Sequence, residues 1–159
     1  MISVIIPTRN RADLLALSLS SLVSQALPKS EFEILVVDNG STDSTALIIK
    51  EYKRQLPNLR SIYAAEPGLH IGRHVGMLSA IGDLLVFSDD DIEALPTWLS
   101  SIKEAFLDPN VAMVGGNNYP MFLDTPPLWL INIWERFSFQ GYKAIPSLSV
   151  IEFGNYTKE

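Results

Sequence analysis

The chain has 159 residues, 47% of them hydrophobic and 19% charged, which suits one globular domain with a buried core and excludes a disordered tail. Its formal net charge of -6 argues against a nucleic-acid partner, because contact with phosphate backbones needs a basic surface. It contains no cysteine, which excludes disulfides, thiolate nucleophiles and cysteine-based zinc sites.

The chain begins with a strand pattern. Residues 3–6 form a compact apolar run that Pro7 ends, without the basic region and longer apolar stretch of a signal peptide. Between residues 11 and 25, apolar side chains recur at the spacing of one helix face, with Asn10 as the predicted N-cap. Residues 32–37 predict a second strand, and a helix follows from residue 42 or 43 to about residue 55.

The same alternation continues to residue 116. Residues 59–64 predict a third strand, residues 69–81 a helix, and residues 84–87 a fourth, buried strand. Pro96 starts a helix that reaches about residue 107, and residues 111–114 predict a fifth strand. The repetition predicts an α/β fold with a Rossmann-like, mainly parallel sheet and helices on both faces.

The last part of the chain, residues 117–159, lacks this alternation. It contains an aromatic patch made of Trp129, Trp134, Phe137 and Phe139, which suits core packing, an interface, stacking on sugars or contact with a membrane surface. No apolar run reaches the roughly 18 residues of a membrane span. We expect a cytoplasmic protein, and we leave open peripheral contact with a membrane and assembly into an oligomer.

Polar segments follow three of the predicted strands, at residues 7–10, 38–41 and 88–91. In parallel α/β sheets, ligands bind beyond the carboxyl ends of the strands. We therefore expect the three segments to share one crevice.

The acidic triplet at residues 89–91 is the most specific of these segments. Successive residues of a strand point to opposite sides, so Asp89 and Asp91 are expected to point together, away from Asp90. Two converging carboxylates suit Mg²⁺ or Mn²⁺, which keep several waters and take their remaining ligands from substrate phosphates. The alternative is a solvated acidic turn that caps the following helix, but the position directly after a buried strand favours the metal site.

Asp38 and Arg73 add polar groups to the same predicted crevice. The Asp38 carboxylate can accept hydrogen bonds from a nucleobase or a ribose hydroxyl, and its alternative role is an Asx-turn with Gly40 and Ser41. The Arg73 guanidinium can bind a diphosphate bidentately. The glycines beside Arg73 match neither a Rossmann fingerprint nor a P-loop, and they suit close packing of a helix on the sheet.

The order and spacing of these motifs resemble those of family 2 glycosyltransferases, which are inverting enzymes with the GT-A fold. The matching segments are residues 4–10, 36–43 and 82–91, followed by Pro96, Trp98 and Leu99, and the resemblance covers roughly residues 1–116. It implies a UDP-, GDP- or dTDP-sugar donor and a Mn²⁺ or Mg²⁺ cofactor. A saccharide or lipid-linked acceptor, as in polysaccharide biosynthesis, is compatible with it.

The resemblance also implies roles for individual residues. It assigns the donor nucleotide-sugar site to Pro7, Thr8, Arg9, Asp38, Arg73, Asp89 and Asp90. Asp91 holds the metal on the diphosphate in this assignment, with Asp89 as a second metal ligand. Arg73 matches the basic residue of the family's Ala-Arg-Asn segment, although its neighbours here are Gly72 and His74.

The general base of the reaction has no candidate in the sequence. Members of the family carry this carboxylate in an acceptor-binding half, often in a Glu-Asp pair. After residue 115 the acidic residues are Asp124, Glu135, Glu152 and Glu159, and none of them forms such a pair. We therefore expect the base to be absent from this chain. Residues 1–116 are interpreted as the nucleotide-sugar-binding domain, and residues 117–159 as the start of an acceptor-side region that is cut short.

The implied reaction is a metal-assisted single displacement, in which an acceptor hydroxyl attacks the anomeric carbon as the nucleoside diphosphate leaves. Two alternatives stay open. A sugar nucleotidyltransferase shares the sheet and the acidic metal ligands, but we expect it to carry a glycine-rich basic loop where residues 7–10 stand here. The other alternative is a nucleotide-binding module without turnover, because the catalytic base is missing.

Overall fold

The structure, a computed structural model, describes residues 1–116, 125–136, 138–139 and 142–143. The chain divides into two compact units, Met1–Val111 and Ala112–Glu159. The domain boundary expected after residue 116 lies a few residues beyond this division and stays a prediction.

Four parallel strands form the sheet of the first unit: β1 (Ile2–Thr8), β2 (Phe32–Asp38), β3 (Leu59–Tyr63) and β4 (Leu84–Phe87). Their order across the sheet is β3-β2-β1-β4, so the first strand of the chain lies between β2 and β4. Ile2 pairs with Phe32 on one side and with Leu84 on the other. The predicted parallel α/β sheet is confirmed.

Helices cover both faces of this sheet. They are α1 (Ala12–Val23), α2 (Thr45–Tyr52), α3 (Leu69–Ser79) and α4 (Trp98–Ala105). On one face, even-numbered residues of β1 and β2 such as Val4 and Ile34 form a single core with Leu15 and Leu19 of α1 and Leu99 of α4. The opposite face carries α3, which contacts β1 and β2.

Two glycines of α3 allow that helix to lie directly on the sheet. A Cβ added to Gly76 would stand 2.3 Å from Cγ2 of Ile5, and one added to Gly72 would stand 2.8 Å from Cβ of Pro7. Both distances are too short for a side chain of any size. The packing role that the sequence suggested for these glycines is therefore correct.

The end of β1 differs from the prediction, because the strand runs through Pro7 to Thr8. The carbonyl of Ile5 accepts the N–H of Ser88, whereas the carbonyl of Thr8 accepts the N–H of Asn39. Odd-numbered residues of β1 therefore turn their backbone polar groups toward β4. The backbone nitrogen of Pro7 lies on the side of β4, just beyond the end of that strand at Phe87, where proline cannot donate a further ladder hydrogen bond.

The start of α1 also differs from the prediction. The N-cap position is Arg11, without a side-chain cap hydrogen bond in the described part of the chain. Asn10 adopts a left-handed φ of 53°, and its Oδ1 accepts the N–H of Thr42 at 2.7 Å. The N–H of Ala12 donates instead to Oδ2 of Asp43, so a neighbouring loop satisfies the first turn of the helix.

A buried carboxylate lies near the amino ends of the strands. Glu33 is 4% exposed and accepts hydrogen bonds from Ser3 Oγ at 2.6 Å, the N–H of Ile81 at 2.7 Å and Arg60 Nη1 at 2.6 Å. Burial alone would raise the pKa of Glu33, but these hydrogen bonds and the charge of Arg60 outweigh it and lower the pKa. The ionised form is therefore the stable one in the fold.

The fifth strand that the sequence predicts at residues 111–114 is not present, so this prediction is wrong. Within the described residues no strand pairs with them, and Met113 is 70% exposed. Their apolar character alone suggested a strand, but a strand needs a partner edge and a buried face.

The second unit contains α5 (Leu128–Arg136) and the antiparallel pair β5 (Ser138–Phe139) and β6 (Tyr142–Lys143). Among the residues with described positions, no helix is both long and apolar enough to cross a membrane.

Candidate functional site

A cavity of about 370 Å³ opens beyond the carboxyl ends of β1, β2 and β4. It is lined by Pro7, Thr8, Arg9, Arg11, Asn39, Gly68, Leu69, Asp89, Asp90 and Asp91. The loop after β1 and the acidic triplet after β4 therefore meet in one place. They meet because β1 and β4 are neighbours in the sheet, although about eighty residues separate them in sequence.

Asp90 is the buried member of the triplet, with 3% of its surface exposed. Its Oδ2 accepts a hydrogen bond from Thr8 Oγ1 at 2.7 Å, and its Oδ1 lies 2.7 Å from Arg11 Nη1. Burial raises the pKa of Asp90, the Thr8 bond and the Arg11 charge counteract that rise, and the neighbouring Asp91 and Asp89 add to it. The helix-cap alternative for the triplet is wrong, because α4 begins only at Trp98 with Thr97 as its N-cap.

Arg11 joins two carboxylates of the triplet. One terminal nitrogen contacts Asp90, and the other lies 2.8 Å from Oδ2 of Asp91. The hydrogen bond with Asp91 and the surrounding negative charge raise the pKa of Arg11, so its guanidinium is fixed as a cation. This residue was not among the site residues predicted from the sequence. The sequence shows a basic side chain just after β1, but only the adjacency of β1 and β4 brings that side chain to the acidic triplet.

Asp89 pairs with the second arginine of the site. Its Oδ1 lies 2.8 Å from Nη2 of Arg73, which projects from α3. Within the described part of the protein, Nε of Arg73 is buried without a hydrogen-bond partner. Arg73 therefore reaches the triplet as the sequence suggested, although it does not line the cavity itself.

Asp38 lies apart from the main cavity. It is 7% exposed, and its Oδ1 accepts the N–H of Ser41 at 2.9 Å, which is the turn interaction considered from the sequence. It lines a second cavity of about 290 Å³ together with Ala46, Ile49, Lys50, Lys53, Ser61, Ile62 and Tyr63. The next residue, Asn39, lines the first cavity. The single crevice expected from the sequence is thus two cavities, one lined by Asp38 and the other by Asn39.

Asn39 ties two loops of the site together, a role that was not predicted from the sequence. Its Nδ2 donates to the carbonyl of Glu66 at 2.7 Å, and its Oδ1 accepts the N–H of Gly68 at 2.6 Å. Gly68 has a φ of 153°, in the region that favours glycine, and it is the N-cap of α3. The side chain of Asn39 therefore helps to position the helix that carries Arg73.

The donor atoms at the triplet fit a divalent cation of the hard type. Among the described residues, no three acidic or histidine side chains converge as a complete metal cage. Mg²⁺ and Mn²⁺ do not need such a cage, because one or two carboxylates suffice when phosphates and waters complete the shell. The side chains of Asp89 and Asp91 are 52% and 42% exposed. Their ion pairs with arginine are made by Oδ1 of Asp89 and Oδ2 of Asp91.

The chemistry of the site combines two kinds of group. Two arginines offer cations for an anionic ligand, and two accessible carboxylates offer oxygen ligands for a metal. An anionic ligand bound together with a divalent cation would provide partners for both the arginines and the carboxylates.

Comparisons with known proteins give a consistent result. The family model described as Glycosyl transferase family 2 matches residues 3–156. AglE, a glycosyltransferase of Haloferax volcanii, is 36% identical over 117 residues, which are 73% of this chain and 38% of AglE.

Two solved structures share the fold and a substantial part of the sequence. The S. aureus TarS 1–349 structure in complex with UDP-GlcNAc has 32% identity and a TM-score of 0.61, and the match covers 76% of this chain and 37% of TarS 1–349. The mannosyltransferase PcManGT from Pyrobaculum calidifontis, in complex with GDP-Man and Mn²⁺, has 28% identity and a TM-score of 0.64. That match covers 69% of this chain and 33% of PcManGT.

The chain spans less than half the length of each of these three proteins. The resemblance inferred from the residues is confirmed, and so is the GT-A-type α/β fold. With nearly the whole sequence inside the family model, the chain belongs to glycosyl transferase family 2.

Proposed function

We propose that this chain carries the donor-binding part of a glycosyltransferase that uses a nucleoside-diphosphate sugar. The observation that supports this most is the 370 Å³ cavity in which the loop after β1 meets three carboxylates and Arg11 at the sheet edge. A nucleoside diphosphate is anionic, so it needs cations and a bridging metal on an acidic protein. The reaction is the transfer of the sugar to an acceptor hydroxyl by single displacement.

Two relatives support the choice of ligand. TarS was solved with UDP-GlcNAc, and PcManGT with GDP-Man and Mn²⁺. We therefore propose a nucleoside-diphosphate sugar as donor and Mn²⁺ or Mg²⁺ as the cofactor of this chain. The cation would neutralise charge that develops on the leaving diphosphate.

The residues divide the work of donor binding in this proposal. Asp91 is the main metal ligand and Asp89 the second, because both carboxylates are accessible from solvent. Thr8 holds the buried Asp90 next to them. Arg73 approaches from α3 and stabilises negative charge on the phosphates.

The nucleoside end of the donor is assigned to the loops after β1 and β2. Pro7, Thr8 and Arg9 form one wall of the main cavity. Asp38 reaches the base through its second carboxylate oxygen, because Oδ1 accepts the Ser41 N–H. The 290 Å³ cavity that Asp38 lines gives room for that contact.

The rest of the assignment concerns the whole protein. We propose residues 1–116 as the nucleotide-sugar-binding domain and residues 117–159 as the start of the acceptor-side region. We propose a saccharide or lipid-linked acceptor, as in polysaccharide biosynthesis. We also propose a cytoplasmic location with peripheral membrane contact, which the exposed Leu128 and Trp129 of α5 support.

Calorimetric titration of UDP, GDP and dTDP tests the donor site, once with Mn²⁺ and once with EDTA. We expect one nucleotide to bind in a metal-dependent manner. Asp91→Asn should abolish that binding and leave the circular dichroism spectrum unchanged. Asp13→Asn, an exposed carboxylate in α1, is the matched control and should bind as the wild type does. Nucleotide binding that is indifferent to EDTA and to Asp91→Asn would refute the metal assignment.

Turnover is tested separately from binding. The protein is incubated with the matching nucleotide sugar and a mixture of saccharide acceptors, and release of the nucleoside diphosphate is measured. Release supports the transferase, whereas tight binding without release supports a binding module. Formation of a nucleotide sugar from a nucleoside triphosphate and a sugar phosphate would support a nucleotidyltransferase.

A further inference from the structure

We propose that Arg11 is an additional donor-site residue that changes partners when the site fills. In the structure it holds Asp90 and Asp91, and we infer that it transfers to the diphosphate when a divalent cation takes Asp91. The inference rests on the proposed function, because it needs a nucleoside diphosphate and a metal at this site. It adds a residue and a coupling between the two ligands.

The contacts of Arg11 make it an internal counter-cation. Its two terminal nitrogens contact two different carboxylates, at 2.7 Å and 2.8 Å. One of these is the buried Asp90 and the other is the accessible Asp91. A guanidinium fork that spans two carboxylates offsets part of the charge of both, which is a task that a metal ion could also perform.

A divalent cation bound at Asp91 would weaken the ion pair between Arg11 and Asp91. Two cations that share one carboxylate repel each other, so the metal and Arg11 compete for Asp91. The displaced guanidinium then needs another anion. A diphosphate bound in the cavity would supply one, because Arg11 and Asp91 line the same cavity.

The surroundings of Arg11 allow the side chain to move while the backbone stays fixed. Its side chain is 43% exposed and lines the main cavity. The backbone on either side is anchored, since the N–H of Asn10 donates to Ser41 Oγ and the N–H of Ala12 donates to Asp43 Oδ2. A rotamer change of one side chain is therefore sufficient.

Arg73 does not fit this role equally well. It reaches the triplet through one terminal nitrogen, which contacts Asp89, and it projects from a helix packed against the sheet. Arg11 is the residue whose partners include both the buried acid and the proposed main metal ligand. Exchange at Arg11 predicts that metal and nucleotide bind cooperatively, each making the other's binding more favourable.

The test is calorimetric titration of Mn²⁺ into the full chain, alone and in the presence of saturating UDP or GDP, whichever binds. Arg11→Gln should bind Mn²⁺ alone more tightly than the wild type, by about fivefold or more, because the competitor is gone. The gain in Mn²⁺ affinity caused by the nucleotide should shrink by a similar factor. Arg54→Gln, which changes an exposed arginine after α2, should match the wild type in both titrations.

Each outcome decides the proposal. Unchanged or weaker Mn²⁺ binding by Arg11→Gln, in a protein that still binds nucleotide with metal, overturns the role of Arg11 and leaves the donor site intact. A wild type that binds neither Mn²⁺ nor nucleotide overturns the donor site itself. Should Arg11→Gln fail to fold, Arg11→Lys replaces it. Lysine keeps the charge but lacks the fork, so the same two shifts should appear at reduced size.

Discussion

Thr8 Oγ1 donates a 2.7 Å hydrogen bond to Asp90 Oδ2, joining β1 to the segment that follows β4. Thr8 is 3% exposed, as is Asp90, so this bond lies in a dry part of the site. It connects the two sequence motifs most typical of the family. The position of the triplet therefore depends directly on the pairing of two strands far apart in sequence.

Thr8→Val should weaken both the fold and the site. The valine has the same shape as threonine but cannot donate a hydrogen bond, and a buried acceptor that loses its partner costs about 1 to 3 kcal/mol. We expect a loss of that size in the free energy of unfolding, measured in urea. Thr8→Ser keeps the hydroxyl and should retain most of the bond. Equal losses in the two variants would show that the methyl group matters and the hydrogen bond does not.

Asp90→Asn should separate stability from function. The folded-state pKa of Asp90 is raised, so Asp90 favours the fold at low pH and this contribution is lost as the pH rises through the raised pKa. Asparagine carries no charge, so the variant does not lose this stability as the pH rises. We expect urea unfolding near neutral pH to show equal or greater stability, within about 1 kcal/mol, because the amide oxygen can still accept the Thr8 hydrogen bond and the half-exposed Arg11 can return to solvent.

Metal-dependent nucleotide binding should fall in the same Asp90→Asn variant, since Arg11 loses one of its two partners and the triplet loses a charge. Calorimetry with the nucleotide that the wild type binds measures this. A variant that is strongly destabilised at neutral pH but at least as stable as the wild type in acid would contradict the expected sign.

Glu33→Gln should destabilise the fold without changing nucleotide affinity. It breaks a buried, charge-assisted network with Ser3 and Arg60 near the amino ends of the strands, away from the cavity. We expect a loss of about 2 kcal/mol or more in urea unfolding. Glu51→Gln, an exposed glutamate in α2, should change little.

The same network predicts a pH dependence of stability. The pKa of Glu33 is lowered in the fold, so its contribution is complete above the ordinary glutamate pKa and is lost as the pH falls through the lowered value. Urea midpoints measured down an acid series should fall more steeply for the wild type than for Glu33→Gln. Parallel curves would mean that Glu33 does not carry the effect.

Gly76→Ala should be costly because α3 lies directly on the sheet. The added Cβ would stand 2.3 Å from Cγ2 of Ile5, so the helix or the strand must shift. Overpacking of this kind costs about 1 to 3 kcal/mol, which outweighs the better helix propensity of alanine. Gly115→Ala is the control, since an added Cβ there meets no atom of the described chain within 4 Å. Urea unfolding of both variants gives the comparison, and a stabilised Gly76→Ala would contradict the packing.

Much of the architecture was available from the sequence. The bounds of β4 were predicted without error, because a short apolar run ends at the polar residues Asp83 and Ser88. The acidic triplet was placed at the correct edge because parallel strands end together. These features depend on local pattern, which a single sequence contains.

The errors share one physical cause, which is dependence on partners distant in sequence. Arg11 and Asn39 were not recognised because their contacts lie on other loops, which only the strand order brings near. Residues 111–114 had the apolar pattern of a strand but no edge to pair with in the described structure. Asp38 was assigned to the main cavity because it ends β2. In the structure the next residue, Asn39, lines that cavity, and Asp38 lines the other one.

Pro7 has a consequence for the strand next to it. In a parallel ladder the N–H of residue 7 would donate to the carbonyl of Ser88, just as the Ile5 carbonyl accepts the Ser88 N–H. Proline has no hydrogen to give, so the ladder between β1 and β4 stops there. The chain after Ser88 is released from backbone pairing with β1 and turns, while Thr8 holds Asp90 through side chains alone. Pro7 thus limits the length of β4. The three carboxylates that follow β4 are therefore not held by backbone hydrogen bonds of the sheet.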